Sequence, residues 1–264
     1  KVKGEIISKQ YEIDLVMELP FGFESVGGYD AHKTFIKENI IDVLSQTRRA
    51  KNQCAELPKG VMVFGMGGTG KTILAKALAK ELGIPFVSIS PNDIVSKWYG
   101  ESEKRMGDIL KMVDELSPCL VYIDEIDTIM TKRGEGQHEA TGRVLNVLMT
   151  WLSKPRNSIA WATTNCVENI DEASMRVGRF DYIIPQLLPD TEARKEILKV
   201  HLNTIRNVKH DIPDIDLMQI AEKTDMWAGN EMEMVVKKAT NITFREAIEK
   251  GVADDETLPM TIDH

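Results

Sequence analysis

The chain has 264 residues, 42% hydrophobic and 28% charged, and a net charge of −8. That length gives one large or two modest domains with a real core, and the acidic balance argues against non-specific nucleic-acid or anionic-membrane binding. Three widely spaced cysteines, Cys54, Cys119 and Cys166, form neither a disulfide framework nor a zinc pattern. With no apolar run of membrane-spanning length, a reducing, cytoplasmic setting is expected.

Residues 1–20 are weakly patterned and read as a linker or arm. A glycine-bearing turn region, residues 21–28, leads into a helix with Ile36, Ile40, Val43 and Leu44 on one face. Next comes an apolar strand, Val61-Met62-Val63-Phe64, then Gly65-Met66-Gly67-Gly68-Thr69-Gly70-Lys71-Thr72, then a helical pattern from Ile73. Strand, glycine loop and a helix opening on Lys-Thr make the phosphate-binding loop G-x-x-x-x-G-K-[ST]. Glycines let backbone N–H groups close on phosphate oxygens, and the helix N-terminus adds partial positive charge. The stretch Gly67, Gly68, Thr69, Gly70, Lys71, Thr72 and Ile73 is thus a candidate cradle for ATP. Lys71 is expected to reach the β- and γ-phosphates and the Thr72 hydroxyl to bind Mg²⁺.

Four further apolar runs read as strands: Phe86–Ile89, Leu120–Ile123, and residues 159–162 and 182–184. Helical patterns at Ser102–Leu116 and residues 140–152 separate them. Continuously apolar strands alternating with helices predict a buried, five-stranded parallel sheet in a three-layer α/β sandwich. After Pro185 and Pro189, residues 191–202, 215–222 and 230–250 read as helices, the last with an apolar stripe and Gly251 as its stop. The expected division is an arm (1–20), an α/β domain (21–188) and a small all-helical lid domain (189–264).

The strand at Leu120–Ile123 ends in Asp124-Glu125. Downstream of a phosphate-binding loop, this predicts that Asp124 holds the metal and Glu125 orients and polarises the attacking water. Asn165 stands at the next strand tip, where an amide orients without acting as a base; turns also favour asparagine there. The guanidinium groups of Arg176 and Arg179 match phosphate oxygens in a bidentate way, but their spacing alone favours surface ion pairs.

In this order the residues resemble the AAA family of the AAA+ superfamily, from Val26-Gly27-Gly28 to the end of the chain. The resemblance implies a ring, usually a hexamer, with nucleotide between subunits. It makes Asn165 the sensor asparagine, and Arg176 and Arg179 fingers reaching a neighbour's γ-phosphate. It places Val26, Gly27 and His201 beside the base, where His201 alone reads as a core histidine, and Gly229-Asn230 at the start of the lid helix. Trp98-Tyr99 resembles the pore loop that grips an extended polypeptide; without the family it is an aromatic pair packed under a loop. One lysine, Lys97, is fewer than a nucleic-acid translocator needs.

The sequence departs from the family pattern in Met66-Gly67, where Pro-Pro is common, and in Val177 between the arginines. It opens on Lys1 and stops at His264, before the family's C-terminal helix, so a piece of a longer protein is expected. The predicted activity is ATP hydrolysis (ATP + water to ADP + phosphate) driving the remodelling, unfolding or translocation of a protein substrate. The alternatives are a nucleotide-gated assembly or adaptor protein that threads nothing, and a nucleic-acid motor.

Overall fold

The structure is a computed structural model that describes residues 2–46, 52, 58–91, 94, 101–130, 139–166, 168, 179–251 and 259–261. Strands β1 (Asp14–Val16), β2 (Gly60–Phe64), β3 (Phe86–Ile89), β4 (Leu120–Ile123), β5 (Ile159–Thr164) and β6 (Tyr182–Pro185) form one sheet. Its order is β1-β3-β4-β5-β2-β6. The five strands expected from the apolar runs are the parallel part, and β1 joins the β3 edge antiparallel.

Helix α1 (Val2–Tyr11) precedes β1. After β1 come α2 (Asp30–Ile36), which continues through a wider π-turn segment, Lys37–Ile41, into α3 (Asp42–Ser45). Then follow α4 (Lys71–Leu82), α5 (Ser102–Leu116), α6 (Asp127–Met130) and α7 (Glu139–Ser153). The C-terminal part holds α8 (Thr191–Lys199), α9 (Asp214–Lys223) and α10 (Gly229–Glu249).

Strand alternation divides the interior. Met62, Val121 and Ile123 face a core closed by Met106, Val113, Leu148 and Leu152 from α5 and α7. Val61, Val63, Leu120 and Tyr122 face the opposite core, closed by Ile36 and Ile40 and by Leu74 and Leu78 of α4. A third cluster, Ile197, Leu202, Leu217, Met232 and Val236, lies within the C-terminal helices. Each sheet face is thus buried, which is why the strands read as continuous apolar runs.

The expected arm differs from the structure. Residues 2–16 form α1 and β1, and Ile7, Tyr11, Ile13 and Leu15 pack against the first core. Their pattern is too short to specify a strand alone; pairing Leu15 with Val87 of β3 supplies the missing order. Among the described residues no helix is long and apolar enough to cross a membrane.

Candidate active site

Sheet register brings the chemistry-bearing strand tips together. Phe64 pairs with Thr164 and Ile123 with Ala162, so the next residues, Gly65 with Asn165 and Asp124 with Thr163, become neighbours at the carboxyl edge. The chain leaves β2 for β3, returns through β4 to β5 on the near side, and places β6 on the far side of β2. Such a switch point is where open α/β sheets bind ligands. A cleft of about 320 Å³ opens there, lined by Val26 and Gly27, by residues 67–73, and by Asp124, Asn165, His201, Gly229 and Asn230.

Lys71, the first residue of α4, is largely buried. Its Nζ donates to the Gly65 and Met66 carbonyls at 2.7 and 2.8 Å and to Asn165 Oδ1 at 2.8 Å. Burial pulls its pKa below the ordinary lysine value, against the attraction of Asp124 and Asp127. The ammonium therefore links the loop to the tip of β5.

Asp124 Oδ1 accepts from Thr163 Oγ1 at 2.7 Å, from the Tyr122 hydroxyl at 3.0 Å and from the Glu125 N–H at 3.1 Å. The Thr72 hydroxyl lies 2.7 Å from the Tyr122 hydroxyl. Burial pushes the Tyr122 phenol up to about 12, so it stays protonated and donates. Glu125 takes a left-handed backbone, φ 47°, and its carbonyl accepts from Thr128. Non-glycine residues at positive φ carry strain that the surroundings must hold. The turn separates the two carboxylates: Asp124 lines the cleft, whereas Glu125 is exposed and outside the lining.

The opposite wall comes from the C-terminal helices. Gly27 presses on α8 so closely that a Cβ would sit 2.5 Å from the Ile197 nitrogen. Asp190 caps α8 by accepting the Ala193 N–H at 2.8 Å. The helix then widens into a π-turn segment, Val200–Ile205, which carries the buried His201 into the cleft wall. Burial lowers the His201 pKa, with Glu233 opposing and Arg206 assisting. At the start of α10 the Asn230 N–H donates to the Gly68 carbonyl at 3.1 Å. Gly68 has φ +78°, and a Cβ there would meet Asn230 Oδ1 at 2.2 Å. Only glycine allows this latch between loop and helix.

Among the lining residues not singled out from the sequence are Tyr29, Tyr122 and Gln186. Gln186 is 1% exposed and donates from Nε2 to the Thr69 carbonyl at 2.7 Å, tying β6 to the phosphate loop. Tyr29 donates to the Leu187 carbonyl at 2.9 Å. Tyr122 had a local signal, its place two residues before Asp124 on one strand face. The other two follow from long-range pairing. Arg179 is not among the lining residues; its carbonyl packs on Gly60, at the far end of β2 from the loop. Arg176, Trp98 and Tyr99 lie outside the described residues.

The cleft fits a magnesium nucleotide. Gly67 has open space around it, and the buried His201 Nδ1 and Gln186 Oε1 have no hydrogen-bond partner among the described residues. Magnesium usually takes one or two protein oxygens and completes its shell with phosphates and water. The Thr72 hydroxyl and the Asp124 carboxylate, joined through Tyr122, are such a pair.

Residues 61–187 match the family model described as ATPase family associated with various cellular activities (AAA). The chain is 36% identical over 243 residues to the cell division cycle protein 48 homolog of Archaeoglobus fulgidus, covering 91% of this chain and 33% of that protein. It is 39% identical over 230 residues to the ATP-dependent zinc metalloprotease FtsH of Caldicellulosiruptor bescii, covering 85% and 36%. It thus spans about a third of the length of the curated relatives it matches. The crystal structure of the FIGL-1 AAA domain in complex with ADP superposes with a TM-score of 0.77 at 27% identity, over 98% of this chain and 87% of that one. The ordered motifs, the sheet topology and these matches agree: the chain belongs to the AAA family.

Proposed function

We propose that the chain is the motor module of an ATPase that remodels, unfolds or translocates a protein substrate through a ring-shaped hexamer. The observation that carries the ATPase reading is the convergence of Lys71, Thr72, Asp124 and Asn165 on one cleft at the carboxyl edge of the sheet. The ADP-bound AAA neighbour supports the same ligand class.

In this reading the loop N–H groups and the N-terminus of α4 hold the phosphates. Lys71 exchanges loop carbonyls for β- and γ-phosphate oxygens, and Asn165 orients its amide beside them. Thr72 and Asp124 hold Mg²⁺, which when bound neutralises charge on the triphosphate. Glu125 accepts the proton of the attacking water, whose oxygen bonds to the γ-phosphorus as the bond to the ADP oxygen breaks. Val26, Gly27 and His201 flank the base, while Gly229 and Asn230 close the cleft from the lid, residues 189–264.

Arg179, far from its own chain's loop, serves with Arg176 as a finger in a neighbouring subunit's site. Trp98 and Tyr99 grip the polypeptide in the pore. Cys119 and Cys166 are free thiols, in keeping with a cytoplasmic setting.

The Glu125→Gln variant tests the reading. It is expected to bind ATP as the parent does and to hydrolyse it about a hundredfold more slowly or worse. Unchanged turnover would remove Glu125 from the mechanism; undetectable ATP binding by the parent protein would sink the whole reading.

A further inference from the structure

Tyr122 and Asp124 stand two residues apart, so their side chains leave the same face of β4. The Tyr122 ring is 2% exposed and stacks on Phe86, with centroids 5.5 Å apart and planes at 27°. Two core rings therefore fix where the phenol oxygen lies. It lies 2.7 Å from Thr72 Oγ1 and 3.0 Å from Asp124 Oδ1.

Counting protons gives the direction of each bond. An ionised carboxylate only accepts, so the single phenol proton goes to Asp124. The Thr72 hydroxyl then donates to the phenol oxygen. Thr163 Oγ1 gives its proton to the same carboxylate oxygen at 2.7 Å. The result is a directed chain from Thr72 through Tyr122 to Asp124. It leaves the lone pairs of the Thr72 oxygen free.

A hydroxyl ligates a cation through a lone pair while its proton needs an acceptor elsewhere. A threonine side chain rotates freely enough to point that proton at the metal instead, which repels it. We propose that Tyr122 is a positioning residue for the magnesium site: its hydroxyl takes the Thr72 proton and passes its own to Asp124, setting both ligands before the metal arrives. This rests on the reading of the cleft as a magnesium–nucleotide site.

Tyr122→Phe keeps the ring and its stack and removes only the relay. The probe is a fluorescent ATP analogue, titrated on the protein in EDTA and then over a range of Mg²⁺ concentrations. Affinity in EDTA is expected to stay within about twofold of the parent. The Mg²⁺ concentration giving half the affinity gain is expected to rise about tenfold, the loss of one hydrogen bond at a charged group. Excess Mg²⁺ should restore turnover.

A Mg²⁺ titration that overlays the parent's overturns the proposal, whatever happens to the melting temperature, because ring packing alone affects only stability. Thr163→Val is the comparator: it strips the 2.7 Å donor from Asp124 and a longer, 3.3 Å contact from the Tyr122 hydroxyl, and leaves both partners of the Thr72–Tyr122 bond in place. Its shift should be the smaller, and an equal or larger one would assign the effect to Asp124 alone and also overturn the relay. If the parent shows no Mg²⁺ effect on nucleotide affinity, it is the nucleotide-site reading that fails.

Discussion

Lys71 has three ammonium protons and three acceptors around it in the structure, the Gly65 and Met66 carbonyls and Asn165 Oδ1. Phosphate binding is therefore an exchange of partners. Holding Asn165 by its oxygen also settles which end of that amide is left to donate. His201 shows a different residue-scale constraint. Burial lowers its pKa below the ordinary 6.5. Above that value both folded and unfolded states carry neutral imidazole, and nothing is lost. As pH falls through it, the unfolded state takes up a proton that the folded state refuses, so stability drops until the folded value is passed. His201→Gln lacks this loss, so between about pH 7.5 and 5.5 the parent's melting temperature should fall further than the variant's. Parallel curves would show that burial does not govern this histidine. Residues such as Lys71, Thr72 and Asp124 were legible because each sits in a local pattern. Gln186 was not: it lies in an apolar run between prolines, and only the β2–β6 pairing brings it to Thr69.

At the level of elements, the five parallel strands were legible because both sheet faces are buried and each strand is continuously apolar. The edge strand β1 was not, since three residues carry too little pattern without their partner. The π-turn segment that follows α8 also left no mark on the sequence, yet it carries His201 into the cleft wall. Helix α8 is held to α9 by Arg194, 2% exposed. Its guanidinium donates to the Pro189 carbonyl at 2.8 Å and twice to the Ala221 carbonyl, at 3.0 and 3.1 Å. Its ion pair with the exposed Asp225, at 3.6 Å, adds little. Arg194→Met keeps much of the volume and leaves the Pro189 carbonyl without that donor, so a loss of about 2–4 kcal/mol is expected. Urea unfolding measures it, and a loss below about 0.5 kcal/mol would show the pair of helices to be held by apolar packing alone.

For the whole molecule, the placement of Arg179 matters most. Its carbonyl contacts Gly60, five residues and about 16 Å of strand from Gly65. If Arg179 acts on a neighbour, Arg179→Ala and Lys71→Ala chains should each lose turnover, by about a hundredfold or more for the finger. Mixed, they should recover part of it, because one supplies the loop and the other the finger. No recovery on mixing would count against a shared site.

The latch between Gly68 and Asn230 has a mechanical side as well. Helix α10 has 21 residues, making a rod of about 32 Å at ~1.5 Å per residue. Its first turn is bonded to the loop proposed to take the phosphates, and its far end stands clear of the cleft. A tilt of about 10° at the latch swings that end by roughly 5 Å, on a rod of this length. Were the loop to shift on binding a ligand, the length of this helix would magnify the movement at its far end.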